Sequence, residues 1–273
     1  MTLGVAVLFM GAGEPGKAED AAASHDEIAQ CSDNNNSSDA HEQAAKAIVD
    51  QGVALMGQSR VKEEIALYDE VVRRFGNDDS PGARAQVARA LSHKGFALWD
   101  DTQLGEAIGI FDEIIQRFDK DKSPCVRVWV AKALNFRGDT HYLILETNAA
   151  IAFYDEVVQR FGNDDSPGVR EQVAEALNNK DAVRRYLAYV VESNIAHYDE
   201  IIERPDNDDS PDRREQVAWA LSNKGEAFGK QGKTKEAIAL FDEVIRRFGN
   251  DDSPEVREQV AEAKKLRKGL LGQ

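Results

Sequence analysis

Apolar residues recur along this chain at helical spacing, in short paired runs. Val87, Leu91, Gly95 and Leu98 fall at steps of four, four and three, which puts them on one face of a helix. The next run places Ile108, Phe111, Ile115 and Phe118 at three, four and three. Each pair of runs predicts two helices, and neither can bury its apolar stripe alone. Ser80-Pro81 marks a helix start, because the Ser oxygen can accept from an orphan backbone N–H and Pro at the first helical position loses no needed donor. Gly76, at the end of the preceding helix, suits a left-handed stop.

The paired pattern is periodic. Tyr68-Asp69-Glu70 returns as Phe111-Asp112-Glu113, Tyr154-Asp155-Glu156, Tyr198-Asp199-Glu200 and Phe241-Asp242-Glu243, at intervals of 43, 43, 44 and 43 residues. Asn-Asp-Asp-Ser-Pro begins at Asn77, Asn163, Asn207 and Asn250, and Asp119-Lys120-Asp121-Lys122-Ser123-Pro124 is its variant between them. Five copies in this phase predict an all-α solenoid whose hairpins stack on their neighbours. The predicted organisation is a lead-in over 1–38, five helix-turn-helix repeats over 39–253 and a capping helix over 254–273. The lead-in is rich in Ala, Gly, Asp, Asn and Ser and is expected to be disordered. Asp39 with Glu42 predicts a capping box at the first helix.

The fifth repeat carries a family resemblance. Leu221-Ser222-Asn223-Lys224-Gly225-Glu226-Ala227-Phe228 leads through Gly232 to Glu236-Ala237-Ile238 and Phe241. This resembles the tetratricopeptide repeat, in which a small residue in helix A and another early in helix B let two helices cross closely, with large residues around them. Gly52, Gly95, Gly138 and Gly225 recur at the helix A site, although a mid-helix Gly costs about 1 kcal/mol relative to Ala. The period exceeds the usual 34 residues of the family. The resemblance implies an α-α superhelix over residues 39–273 whose concave face, lined by helix A, binds a protein or peptide. The fourth repeat departs from it, with Asp181 at the Gly site, Asn194 at the small site of helix B, one inserted residue, and Arg204-Pro205. Repeat decay is one reading of these changes. The other makes Asp181 and Asn194 a facing buried polar pair and the repeat a soft hinge.

Charge narrows the range of partners. With 34 Lys and Arg against 49 Asp and Glu, the net charge is −15, which is no footprint for a phosphate backbone. Two cysteines, Cys31 and Cys125, make no disulfide framework and no CxxC, so a reducing, cytoplasmic setting is expected. The apolar start, Leu3 to Met10, is far shorter than the roughly 20 residues of a membrane span and lacks the basic residues of a secretory signal.

Candidate chemistry is sparse, and no cofactor, metal or catalytic group is expected. Gly11-Ala12-Gly13-Glu14-Pro15-Gly16-Lys17 has P-loop spacing, but Ala18 stands where a magnesium ligand is needed and no parallel sheet follows. Counted from Asp119, a calcium loop would need Gly at Pro124 and Glu at Val130, so that pattern fails. The histidines form no HxxxH pair, and the repeated Asp-Glu of helix B reads as surface ion pairs with Arg a turn later.

The remaining candidate is the groove. By the resemblance, Phe96, Asp139 and Glu226 follow the Gly site on helix A, and Trp99, Tyr142 and Arg185 come three residues later. Phe136, Asn179 and Asn223 precede that site by two, as does His93. Phe96, Trp99, Phe136 and Tyr142 then form an aromatic patch able to anchor an apolar side chain, with packing into the inter-repeat core as the competing reading. Lys132, Asn179 and Asn223 echo only in part the set with which some family members hold a C-terminal carboxylate. The expected function is a non-enzymatic scaffold for a protein or peptide partner, with structural self-assembly as the alternative.

Overall fold

The computed structural model describes residues 40–205 and 208–272. The expectations for residues 1–38, the Gly-rich segment and Asp39 included, lie outside the described residues. The fold is all-α, with ten helices and no strand among the described residues. The chain divides into two compact units, the first ending at Val183 and the second beginning at Arg184. In the first, α1 (Ala40–Val53) pairs with α2 (Val61–Phe75), α3 (Pro81–Asp100) with α4 (Leu104–Arg117), and α5 (Pro124–Leu143) with α6 (Thr147–Phe161). Helix α7 (Pro167–Glu203) begins in the first unit and ends in the second, which also holds α8 (Pro211–Lys230), α9 (Thr234–Phe248) and α10 (Pro254–Leu271).

Each closed hairpin is built on one crossing. A Cβ added to Gly95 would lie 2.5 Å from the Phe111 ring, one added to Gly52 2.5 Å from Tyr68, and one added to Gly225 2.8 Å from Phe241. Gly138 meets Tyr154 in the same way. Val87, Leu91 and Leu98 are buried beside that crossing, as are Phe111 and Phe118. On α4 the fully buried member is Ile114, while Ile115 is only half-buried. In the second unit α10 packs on α8 and α9, where Val256, Val260 and Ala263 join Leu221, Phe241 and Val244 in one core.

Aspartates lock the repeats to one another. The first Asp of the helix B pair crosses to the next helix A: Asp69 to Lys94 (2.6 Å), Asp112 to Arg137 (2.9 Å) and Asp242 to Arg267 (2.5 Å). Asp155 pairs with Lys180 and Asp199 with Lys224 in the same register. The Glu beside it makes the expected pair one turn on, as in Glu70–Arg74 (3.0 Å). In the turns, Asp78, Asp121, Asp164, Asp208 and Asp251 each accept the backbone N–H of the Ser two residues later. Asp121, Asp164 and Asp251 also receive Arg84, Arg127 and Arg214 from the preceding helix A. Ser80 and Ser210 cap their helices with the side chain, accepting from Ala83 and Arg213.

Three expectations are corrected. Gly76 is right-handed, at φ −61° and ψ −22°, because its N–H continues the helix to the Val72 carbonyl. Its own carbonyl accepts from Arg117 of the next repeat. The left-handed residues stand instead in the A-to-B turns: Gly57, Ser59, Thr102, Leu145 and Gly232. The fourth repeat keeps both helical segments but has no turn, since α7 runs unbroken for 37 residues. Asp181 and Asn194 therefore lie on one helix, about 20 Å apart along its axis, and both are exposed. They are not a facing buried pair. Cys125 is disulfide-bonded, against the expectation of reduced thiols. No described helix is long and apolar enough to cross a membrane.

The crossing makes a test with opposite signs at two glycines. Gly225→Ala should destabilise by about 1–3 kcal/mol through overpacking against Phe241. Gly109→Ala, on an exposed helical position with nothing within 4 Å of the added Cβ, should stabilise by up to about 1 kcal/mol. Urea unfolding of both variants measures the two values.

Candidate functional site

Helix α5 presents Lys132, Phe136, Asp139 and Tyr142 at steps of four, three and three, the spacing of one helical face. Helix α3 brings Phe96 and Trp99 to one side of that stripe, and α7 brings Glu175 and Asn179 to the other. All belong to the first unit.

The aromatic side is a contiguous cluster. Phe96 stacks on Trp99 with centroids 6.1 Å apart, and Phe136 lies 5.6 Å from Phe96 and 6.2 Å from Trp99. Phe136 also stacks on the buried ring of Phe111 at 5.2 Å, which roots the cluster in the hairpin core. Phe96, Trp99 and Phe136 all remain half-buried. His93, at the equivalent of Phe136 on α3, is in the core between Tyr68 and Trp129, each 5.7 Å away. The core reading therefore holds for His93 and in part for Phe136.

The polar side centres on Asp139. Its Oδ1 accepts from the Tyr154 hydroxyl at 2.6 Å and from the Asn179 amide at 3.1 Å. Burial pushes its carboxyl up to about 7; the nearby Glu175 charge adds to the rise, and the two hydrogen bonds oppose it. Burial and the adjacent Asp139 charge raise the Tyr154 phenol, with Tyr142 close by. Lys132 lies over the Trp129 ring at 5.5 Å, and burial lowers its ammonium against the pull of Glu175 and Glu171.

Tyr154 was not among the expected site residues, although the repeats carry a signal for it. Where the crossing ring is Tyr, a carboxylate meets its hydroxyl: Tyr68 donates to the buried Glu64 at 3.1 Å, as Tyr154 does to Asp139. In the repeats of Phe111 and Phe241 no such acceptor is needed. Glu226, at the position of Asp139 in the repeat of Phe241, turns to Lys230 at 3.2 Å.

The structure thus gathers Phe96, Trp99, Phe136, Asp139, Tyr142 and Asn179 in one unit. Arg185, Asn223 and Glu226 belong to the other. Arg185 is exposed, and Asn223 bonds the Trp219 carbonyl of its own helix at 2.8 Å. Lys132 and Asn179 belong to the first unit and Asn223 to the second. A hollow of about 510 Å³ lies elsewhere, between the turns, lined by Arg84, Arg117, Lys120 and Asp121 among others. Arg84 there already pairs with Asp121, and Arg117 with Glu113 and the Gly76 carbonyl.

Asp139 gives the fold a pH dependence of known sign. Its folded pKa is raised above the usual carboxylate value, so the native state holds the proton between about pH 4 and 7 while the unfolded chain does not. Stability from this group is therefore greatest at the acidic end of that window and is lost as pH rises to 7. Asp139→Asn keeps both hydrogen bonds and removes the titration. Its melting temperature should exceed that of the wild type at pH 8, and the gap should close towards pH 4. A gap independent of pH would contradict the assignment.

Residues 219–251 match the family model described as a tetratricopeptide repeat. No curated protein sequence matches the chain significantly. Among solved structures, a complex of the TPR2AB domain of yeast Sti1 with pHSP90 is similar at 14% identity and a TM-score of 0.40, over 83% of this chain and 85% of that one. An engineered protein is similar at 14% identity and a TM-score of 0.34, over 89% and 97%. Scores this low leave the assignment to the repeat itself. The matched segment contains Gly225, Ala237 and Phe241, and the same crossing of a small residue on a ring recurs at Gly52, Gly95 and Gly138. Residues 219–251 are a tetratricopeptide repeat, and the other closed hairpins share its crossing.

Proposed function

We propose that this protein is a non-enzymatic interaction module whose first unit holds a peptide or a segment of a partner protein against α3, α5 and α7. Tetratricopeptide repeats build protein-interaction scaffolds, which supports the general class. The observation that carries the particular site is the cluster of Phe96, Trp99 and Phe136, mutually packed yet half-buried. Aromatic rings fixed this way lose little side-chain entropy on binding, the character of an interface anchor. Asp139 and Glu175 border the cluster, and the chain carries a net charge of −15. The partner is accordingly a protein segment with an apolar anchor, and neither a nucleic acid nor a membrane surface is its target. Self-assembly is the second reading, favoured by the open fourth repeat.

A pulldown with the Phe96→Ala, Trp99→Ala double variant tests the site, with Glu113→Ala on α4 as the control. Partners retained by the wild type and the control should bind the double variant roughly 30-fold more weakly, the loss of about 2 kcal/mol expected of an anchoring aromatic. Unchanged retention by a double variant with a wild-type circular dichroism spectrum would remove the site from α3.

The sequence favours the cytoplasm, whereas the disulfide at Cys125 favours an oxidising compartment. Thiol titration of protein isolated from its native cell under acid quench decides between them. Two reactive thiols per chain support the cytoplasm, and none supports the oxidising compartment.

A further inference from the structure

The fourth repeat contains both halves of a hairpin and no means of closing it. In each closed repeat a left-handed residue follows the Gly site by seven positions: Ser59 (φ 56°), Thr102 (62°), Leu145 (65°) and Gly232 (76°). After Asp181 the same window reads Tyr186-Leu187-Ala188-Tyr189-Val190-Val191. At the aligned position stands Ala188, the residue type with the highest helix propensity. Helix propagation wins, and α7 continues to Glu203. Tyr198, the crossing ring of this repeat, then stands about 26 Å along the helix from Asp181. In the closed repeats the corresponding groups touch.

Two large apolar side chains are left bare. Leu177 is 44% exposed, whereas its counterparts Leu91, Leu134 and Leu221 are 0–1% exposed beneath a closed hairpin. Trp219, where α3 has Arg89 and α5 has Lys132, is 40% exposed and touches Tyr198 edge-on at 5.4 Å. The cover that Leu177 lacks is that of a helix B, as Leu221 shares one core with Phe241 and Val244.

We propose that a second copy of this chain closes the open repeat: residues 192–203 and 211–230 of one copy dock on residues 167–183 of the other, reciprocally, in a two-fold dimer. The occupant follows from the repeat. The face around Leu177 is that of a helix A awaiting a helix B and the next helix A, and residues 192–203 and 211–230 are that pair, with Tyr198 on the first and Trp219 presenting an apolar surface on the second. The continuity of α7 withholds them from their own chain, so an identical chain supplies them. Across such a junction Asp181 of one copy faces Asn194 of the other, and carboxylate and amide can hydrogen-bond. Neither is as small as Gly or Ala, so the helices stay farther apart than in the closed repeats. The dimer is therefore reversible and concentration-dependent. It does not rest on the groove, which uses α3 and α5.

Sedimentation of the full chain over a range of concentrations tests this, with two variants. The mass of the wild type should rise to twice the 30.2 kDa of the chain. Leu177→Glu, a change at an exposed site, should hold it at a single chain with an unchanged helical spectrum. Replacing Tyr186 to Tyr189 with Lys-Gln-Gly-Lys, the turn of the fifth repeat in the same register, should let the hairpin close in its own chain and also give a monomer. A wild type that stays at one chain mass up to its solubility limit overturns the proposal. So does a dimer that persists in either variant.

Discussion

A backbone can approach an aromatic ring this closely only where it carries no side chain, and that crossing sets the rest of this structure. Gly95 against Phe111 and Gly225 against Phe241 leave no room for a Cβ, so each hairpin has one depth and one register. Fixed depth puts Leu91, Leu134 and Leu221 under the helix B that follows, at 0–1% exposure. It also dictates what a hydroxyl on the ring must find. Tyr68 and Tyr154 reach past the crossing into a dry region, and each is met there by a carboxylate, Glu64 or Asp139. The cost of burying an unpaired hydroxyl explains the pairing. The same dry surroundings push the Asp139 carboxyl up to about 7, against the hydrogen bond from Tyr154.

Around this apolar frame the aspartates act as spacers between repeats. One set ties helix B to the next helix A, from Asp69–Lys94 through Asp242–Arg267. Another fixes the turns by accepting a Ser N–H and an Arg together, as Asp121 and Asp251 do. Most of these pairs are partly exposed, so each contributes about 1 kcal/mol or less. Their value is in register, because a wrong stacking would leave every rung unpaired. Much of the acidity of the chain is thus structural.

The site and the open repeat are consequences of the same rule, kept in one place and broken in another. Where the crossing is intact, α3 and α5 hold Phe96, Trp99 and Phe136 in mutual contact. Where Asp181 replaces Gly, the crossing cannot form at that depth, and α7 runs on through the position of the turn. Leu177 is left exposed, where its counterparts in closed repeats are buried.

The sequence by itself determined the helices, the phase of the repeats and the small-on-large crossing, because period and side-chain size are local properties that repetition makes visible. It also marked the fourth repeat as the exception. It could not say that the exception is an unbroken helix, since losing a turn depends on whether the closed hairpin would repay the reversal. That balance lies between helices far apart in the chain. The fate of His93 in the core and of Phe136 at its edge was likewise undecided, as both occupy one register position and only the neighbouring rings separate them. Tertiary structure decided which half of each Asp-Glu pair crosses to the next repeat, because a step of 25 residues becomes a contact only once two hairpins are stacked.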